Sequence, residues 1–248
     1  MPQIDHTTLA RSYHTLHYRQ QLQQALSTCG VGKLDGLTKY QLHQKTSNIL
    51  LRHHQGEQSL KYKLARAFRK KDYVAAFEVR AKDSRADFVV INGDSKCFEI
   101  KSKVDTLRRL DKQSADYHHV FEYNTVVVDS KHLETIASTL PQHYGIWYFD
   151  GNRRVEYRAA DRSPSLDPIA QLAMLTKQER KTAFGNTELN AILSDFDADT
   201  INEGLKTILK KRYADRWQFI NYHWKEILPI DLQFFFNTNV HPGLIYAD

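Results

Sequence analysis

Two acidic residues and a lysine near the middle of the chain have the types and order that metal-dependent phosphodiester chemistry requires. Asp87 begins the apolar run Asp-Phe-Val-Val-Ile, and Glu99 and Lys101 lie in the following run, Cys-Phe-Glu-Ile-Lys. Mg²⁺ takes oxygen ligands, typically one or two carboxylates together with waters and substrate phosphates. A nearby lysine can hold the attacking water or neutralise charge that develops on the phosphate. We therefore predict that Asp87 and Glu99 bind a metal and that Lys101 is catalytic.

The two apolar runs are predicted to be adjacent antiparallel strands. Residues 88–91 and 98–100 are apolar or β-branched, and the segment between them, Asn-Gly-Asp-Ser at 92–95, is a strong turn signal. Because side chains alternate between the two faces of a strand, Glu99 and Lys101 share one face. A buried carboxylate is costly unless it is paired or bound to a metal, and the lysine can supply part of that pairing.

An amphipathic helix is predicted to follow these strands. From residue 105 to residue 121, apolar side chains recur at three- and four-residue steps. Arg109, Gln113 and Tyr117 are spaced four residues apart, so they form one polar and aromatic ridge along that helix. Such a ridge can bind a phosphate or hold the lysine in place. Residues 124–129 are then predicted to form a buried strand.

These residues together resemble the signature of the restriction-endonuclease-like PD-(D/E)XK nuclease superfamily. Asp87 and Glu99-Ile-Lys101 match its core motif, and Gln113-x-x-x-Tyr117 is typical of its RecB-type branch. The strings Arg-Ala-Asp, Glu-Ile-Lys-Ser and Asp-Thr-Leu-x-Arg-Leu around these motifs are similar to a family of small uncharacterised bacterial and phage proteins of this type. The resemblance covers residues 70–185.

The resemblance implies an α/β fold with a restriction-endonuclease-like core, in which helices flank a central mixed β-sheet, and with helical extensions at both ends. It implies an Mg²⁺- or Mn²⁺-dependent deoxyribonuclease that hydrolyses DNA phosphodiester bonds. The Ile100 carbonyl is a further candidate metal ligand beside the two carboxylates. Gln113 and Tyr117 would position Lys101 or the scissile phosphate. One or two metal ions are both compatible with this residue set.

Glu78 is a further candidate, and two interpretations of it remain open. It lies in a predicted strand at residues 73–79, nine residues before Asp87. In the resembling family an acidic residue at this place completes the metal site, so Glu78 could be a metal ligand or position a water. Alternatively it is an exposed strand residue that pairs with Arg80 or Lys82.

The basic character of the chain predicts an anionic partner. The formal net charge is +6, and the pI is near 9.1. Two basic clusters, at residues 61–71 and 210–212, could follow a phosphate backbone or lie on solvated helix faces. The second cluster is better explained as the cationic end of a helix that begins with a capping box at Thr200 and Glu203.

DNA is the expected partner, and three basic residues near the motif are expected to contact it. These are Arg85, Lys103 and Arg109. The sequence does not distinguish single-stranded from double-stranded DNA, and RNA remains an alternative because nothing in it is specific for a 2′-hydroxyl. Endonuclease and exonuclease activity are equally compatible.

The chain is predicted to have three segments. Residues 1–57 form a helical extension, residues 58–162 form the nuclease core, and residues 163–248 form a helical C-terminal region. Helices are predicted in the last segment at residues 200–212 and 214–227, among others, and such short helices could build a DNA-binding module. Its aromatic residues, including Trp217, fit core packing or dimerisation better, so a homodimer is a further expectation.

Cysteine and histidine spacing does not predict a second metal site. Cys29 and Cys97 do not form a Cys-x-x-Cys pair, and His14 and His17 are three residues apart without a third ligand nearby in the sequence. The first residues contain no apolar signal segment, and no stretch reaches the length of a membrane span. A cytoplasmic protein without membrane contact is therefore expected.

A different class of protein is compatible with the same residues. A nuclease fold can also hold nucleic acid or a partner protein without cleaving anything, for instance in phage defence or in a mobile element. All the motif residues are present, which favours the enzyme.

Overall fold

The computed structural model describes residues 4–54, 56–102, 105–151 and 153–248. The chain forms two compact units. The helical unit comprises Met1–Lys63 and Gln218–Asp248, and the sheet unit comprises Leu64–Trp217. These units differ from the sequence-based division at residues 57 and 162, since Ile230 packs in one hydrophobic cluster with Leu9 and Leu26.

In the sequence, helices precede and follow the strands, and further helices lie between strands. In chain order they are α1 (His6–Ser12), α2 (Arg19–Thr28), α3 (Lys39–His53), α4 (Glu57–Phe68), α5 (Leu110–Tyr117), α6 (Leu133–Thr139), α7 (Pro168–Ala173), α8 (Lys177–Phe184), α9 (Leu189–Asp195), α10 (Ala198–Tyr222), α11 (Leu232–Thr238) and α12 (Pro242–Tyr246). Among the described residues, no helix combines the length and the apolar character that crossing a membrane requires.

The sheet unit is built on one six-stranded sheet. Its strands are β1 (Val74–Ala81), β2 (Ser84–Ile91), β3 (Ser95–Lys101), β4 (Tyr123–Val128), β5 (Gly145–Asp150) and β6 (Arg153–Arg158), and their spatial order follows the chain. The pairs β1–β2, β2–β3 and β5–β6 are antiparallel, whereas β3–β4 and β4–β5 are parallel. The predicted α/β class, with a mixed sheet flanked by helices, is confirmed.

The turn between β2 and β3 sets their antiparallel pairing. Gly93 has φ +104°, a conformation that L side chains rarely adopt. The pairs Val89 with Cys97 and Ile91 with Ser95 follow from this tight turn. The hairpin predicted from the Asn-Gly-Asp-Ser segment is therefore present.

The two parallel pairings require crossover connections, which α5 and α6 provide. Both helices pack on the same face of the sheet, in a cluster formed by Leu110, Val126, Val128, Ile136, Leu140, Tyr144 and Ile146. The opposite face is aromatic: the ring centroids of Phe98 lie 5.1 Å from those of Phe68 and Trp147. Trp217 is buried in this unit near Phe88, which fits core packing.

The predicted helix over residues 105–121 is wrong in its extent, because α5 has only eight residues. At the N-terminal side, the Asp105 carboxylate accepts hydrogen bonds from the Ser102 amide and hydroxyl, so a local loop competes with the helix. At the C-terminal side, the Val120 amide donates to the Tyr117 carbonyl, a tight turn that ends the helix.

The predicted helices at 200–212 and 214–227 are joined in one continuous helix, α10, which ends at Tyr222 and not at residue 227. The sequence around Tyr213 contains neither glycine nor proline, so nothing interrupts the helix there. It begins earlier than predicted, because Asp197 Oδ1 accepts the Thr200 amide at 2.8 Å. The basic cluster at 210–212 therefore lies in the middle of α10 and not at its C-terminal end as predicted. Arg212 contacts Glu179 at 2.6 Å.

In the described part of the helical unit, α1, α2 and α3 precede α4. Its hydrophobic core consists of Leu9, Leu22, Leu26, Cys29, Val31, Leu34, Leu42, Leu50 and Ile230. A buried polar group accompanies this core: Asp231 accepts hydrogen bonds from Thr15 at 2.7 Å and from Tyr246 at 2.8 Å. The C-terminal segment therefore belongs to the same fold as α1–α3.

Candidate functional site

The candidate site lies where β2 and β3 separate. The last paired residues of their ladder are Phe88 and Phe98. Beyond that pair, the Asp87 Oδ2 atom accepts the Ile100 amide at 2.6 Å, so a side-chain carboxylate takes the place of a backbone carbonyl. Asp87 thereby lies at the opening between the strands and holds the residue that follows Glu99 on β3.

Lys101 connects β3 to α5. Its Nζ donates to Glu99 Oε1 at 2.7 Å and to Gln113 Oε1 at 2.8 Å. The Tyr117 hydroxyl donates to the other oxygen of Glu99 at 2.8 Å. The alternation of β3 and the four-residue spacing of α5 therefore bring these four side chains together.

Burial dominates the electrostatics of this group. Glu99 is 3% exposed and Lys101 is 7% exposed. Burial raises the pKa of Glu99, although the ammonium of Lys101 and the hydroxyl of Tyr117 act in the opposite direction. Burial and the nearby Glu99 carboxylate raise the pKa of Tyr117, so its phenol stays a hydrogen-bond donor. The charge of Glu99 therefore depends on its contacts with Lys101 and Tyr117.

Glu78 lies beside Asp87 on the neighbouring strand. The pairs Phe77 with Phe88 and Val79 with Ala86 flank it, and carboxylate oxygens of Glu78 and Asp87 lie within 4.8 Å of each other. Glu78 has φ +55°, which is uncommon for a residue with a side chain and costs free energy. A cation bound near both carboxylates would reduce the repulsion between them.

Three basic residues were expected to contact nucleic acid. Arg85 is exposed on β2, two residues from Asp87 and therefore on the same face of that strand. Arg109 is exposed directly before the first turn of α5. Lys103 lies outside the described residues. Ile100 is buried; its amide is used by Asp87, and a ligand role for its carbonyl stays a prediction.

A comparison with known protein families identifies the family of this chain. The family model described as bacteriophage P4 protein cII matches residues 43–235, which is more than half of the chain. The chain belongs to that family. The matched range contains every residue of the site described above.

Two individual proteins are similar to parts of the chain. Protein cII of Enterobacteria phage P4 is 28% identical over 144 residues, which cover 52% of this chain and 54% of that protein. The chain therefore matches about half the length of this curated relative. A solved protein of unknown function from Silicibacter pomeroyi has 21% identity and a TM-score of 0.38, and the match covers 53% of this chain and 93% of the other.

Two residues that support the site were not predicted. Asp116 is buried next to Tyr117, and its Oδ2 accepts the Ser84 hydroxyl at 2.5 Å, which attaches α5 to β2. The Tyr144 hydroxyl donates to the Ser114 carbonyl at 2.6 Å and attaches the other side of the helix. In the sequence, the position of Asp116 directly before Tyr117 was the only signal for a residue that supports the site.

Proposed function

We propose that this family member is a metal-dependent nuclease that hydrolyses DNA phosphodiester bonds, with a restriction-endonuclease-like core of the PD-(D/E)XK type in its sheet unit. The observation that carries the proposal is the position of Lys101. Its ammonium lies between Glu99 and Gln113, one residue from the amide that Asp87 holds. This arrangement pairs a cationic group with one carboxylate, Glu99, while a second carboxylate, Asp87, holds the residue between the two.

The donor atoms of the proposed site suit Mg²⁺ or Mn²⁺. Asp87, Glu99 and Glu78 offer carboxylate oxygens, and the Ile100 carbonyl is a further candidate. Hard divalent cations prefer such oxygen ligands to nitrogen or sulfur. When bound, such an ion polarises the phosphoryl oxygen and makes water a better nucleophile.

The roles of the protein side chains follow from their contacts. Hydrolysis joins a water oxygen to phosphorus and breaks one P–O ester bond, and negative charge develops on the phosphoryl oxygens. Lys101 would orient the water or stabilise that charge. Gln113 would hold the ammonium in place. Tyr117, kept protonated, would fix the Glu99 carboxylate. Arg85 and Arg109, both exposed, would contact the DNA backbone.

A cleavage assay tests the proposal. The full chain is incubated with linear single-stranded and double-stranded DNA in Mg²⁺ or Mn²⁺, and products are separated by size. We expect cleavage that Glu99→Ala and Lys101→Ala abolish. Lys112→Ala is the matched control, because Lys112 is exposed on α5 directly beside Gln113. Cleavage that survives Glu99→Ala, or no cleavage of any DNA with either ion, overturns the proposal.

One observation favours a second function. Glu99 and Lys101 already satisfy each other in a buried ion pair, and buried pairs of this kind also occur as purely structural elements. In that case the protein would hold nucleic acid or a partner protein without cleaving it. Calorimetry with Mn²⁺ and DNA-binding measurements separate the two functions. The binding function predicts no Mn²⁺ heat and unchanged DNA affinity in Asp87→Asn and Glu99→Gln.

A further inference from the structure

Three potential metal ligands meet in the helical unit, near the end of α10. His223 Nδ1 lies 3.1 Å from Glu226 Oε1, and His241 Nε2 lies 3.9 Å from Glu226 Oε2. The two imidazole rings have centroids 4.8 Å apart and are almost perpendicular. One ligand atom from each of the three residues lies within 4.8 Å of the other two.

We propose that His223, Glu226 and His241 form a binding site for a divalent transition-metal ion, with Zn²⁺ as the best-matched ion. Two imidazole nitrogens and one carboxylate oxygen are a donor set that zinc sites use, with water in the fourth position. Zn–N and Zn–O bonds of about 2.0–2.2 Å place tetrahedral ligand atoms about 3.4 Å apart. The two observed separations lie on either side of that value but involve different oxygens of Glu226, and one atom of each residue lies within 4.8 Å of the others. Binding therefore requires the exposed Glu226 and His241 side chains to close in on the ion.

The local fold explains why these residues converge. The Ile227 amide donates to the His223 carbonyl at 3.0 Å, so the helical turn continues past α10 and places Glu226 one turn from His223. At the end of α11, Asn239 adopts a left-handed conformation with φ +52°. That conformation ends the helix, and His241 follows two residues later beside Glu226.

The three ligands differ in how firmly they are held. The ring of His223 packs against Phe219 and Tyr222, with centroids 4.6 and 4.8 Å away, and its side chain is only 9% exposed. The side chains of Glu226 and His241 are 48% and 59% exposed. One ligand is therefore fixed, while the other two face solvent and give an ion a path of entry.

His241 has a second contact that the ion must replace. Its Nδ1 accepts the Gly243 amide at 3.0 Å, which places the ring proton on Nε2, toward Glu226. Binding through Nε2 requires the other tautomer, so this one capping bond at the start of the five-residue helix α12 is exchanged for the metal bond. The ion then joins the end of α10 to the C-terminal segment.

The donor set separates this site from the proposed nuclease site. Imidazole nitrogen suits Zn²⁺ and other transition metals, whereas Mg²⁺ prefers all-oxygen sites. The two sites are expected to be loaded and emptied independently, because the helical unit alone supplies His223, Glu226 and His241.

Metal titration of the tag-free, metal-stripped full chain tests this proposal. We expect one equivalent of Zn²⁺ by calorimetry, and visible absorption typical of tetrahedral Co²⁺ when Co²⁺ is used instead. Glu226→Gln and His241→Ala should each weaken Zn²⁺ binding at least tenfold and remove the Co²⁺ spectrum. Glu226 is largely exposed, so Glu226→Gln should keep the melting temperature of the metal-free wild type, whereas His241→Ala should lower it slightly because it removes the cap of α12.

Two controls make the result specific. His14→Ala changes a histidine outside the site, three residues before His17, and it should leave Zn²⁺ binding unchanged. Glu99→Gln changes the proposed nuclease site and should also leave it unchanged. Absence of Zn²⁺ binding, or binding that persists in both Glu226→Gln and His241→Ala, overturns the proposal.

Discussion

The Tyr117 hydroxyl donates to Glu99 Oε2 at 2.8 Å, so α5 is attached to β3 through the acidic residue of the candidate site. The helix thereby reaches both ends of the buried pair, because Gln113 on the same helix contacts Lys101. The helix and the charge state of Glu99 are consequently coupled.

Tyr117→Phe should test this coupling. It removes one hydrogen bond to a charged acceptor and keeps the ring, so we expect the free energy of unfolding to fall by about 1.5–3 kcal/mol. The pKa of Glu99 should rise further, which NMR titration of its carboxyl carbon measures. Tyr144→Phe is the matched control: its hydroxyl bonds a neutral carbonyl, so a loss of about 0.5–1.5 kcal/mol and no change at Glu99 are expected. Identical effects of the two variants would contradict the coupling.

Lys101→Met should leave Glu99 buried without its cation. We expect a loss of about 3–5 kcal/mol in unfolding free energy at neutral pH, measured by urea denaturation. A raised carboxyl pKa means that the folded state keeps a proton that the unfolded state releases, so stability falls as pH rises from the unfolded pKa toward the folded one. The deficit relative to wild type should therefore be smaller near pH 5 than at pH 8.

The double variant Lys101→Met with Glu99→Gln completes the cycle. Because it removes the uncompensated charge, it should be more stable than Lys101→Met alone, and its deficit should not depend on pH over the same range. A pH-dependent deficit in the double variant would assign the effect to another group.

Local rules were sufficient to predict how the site comes together. The two-residue period of β3 places Glu99 and Lys101 on one face, and the four-residue spacing of α5 places Gln113 and Tyr117 next to them. The turn at Gly93 could be predicted in the same way, because glycine adopts a positive φ more readily than other residues. These features depend only on residues close together in the sequence, so the sequence alone is enough to predict them.

Contacts between distant segments could not be predicted in the same way. The bond from Ser84 to Asp116 spans 32 residues, and His223 meets His241 only because Asn239 turns the chain. Sequence patterns can also predict helices that are too long. The amphipathic period continues past Tyr117, although the backbone turns there and α5 ends. The predicted break at residue 213 was wrong, because no glycine or proline interrupts α10 there.

His43 predicts acid sensitivity in the helical unit. Burial lowers its pKa from the usual 6.5 to about 4, and Lys39 and His17 add to the effect. Between these two pKa values the unfolded chain binds a proton at His43 and the folded chain does not. The free energy of unfolding therefore keeps its full value above pH 6.5 and decreases as pH falls toward 4. The loss should approach about 3 kcal/mol. His43→Gln should reduce the acid sensitivity measured in thermal melts from pH 7 to 4, whereas His53→Gln, at an exposed position of α3, should leave it unchanged.

Glu78 allows the backbone and the side chain of one site residue to be tested separately. Its φ of +55° is strained for any residue with a Cβ, so Glu78→Gly should be more stable than Glu78→Ala by about 1 kcal/mol. Both variants lack the carboxylate near Asp87 and should bind Mn²⁺ more weakly to the same degree in calorimetry. Glu78→Gln isolates the charge, since it keeps the side-chain length and the strain. If all three variants bind Mn²⁺ like the wild type, Glu78 is not a metal ligand, and its strained backbone serves only the shape of β1.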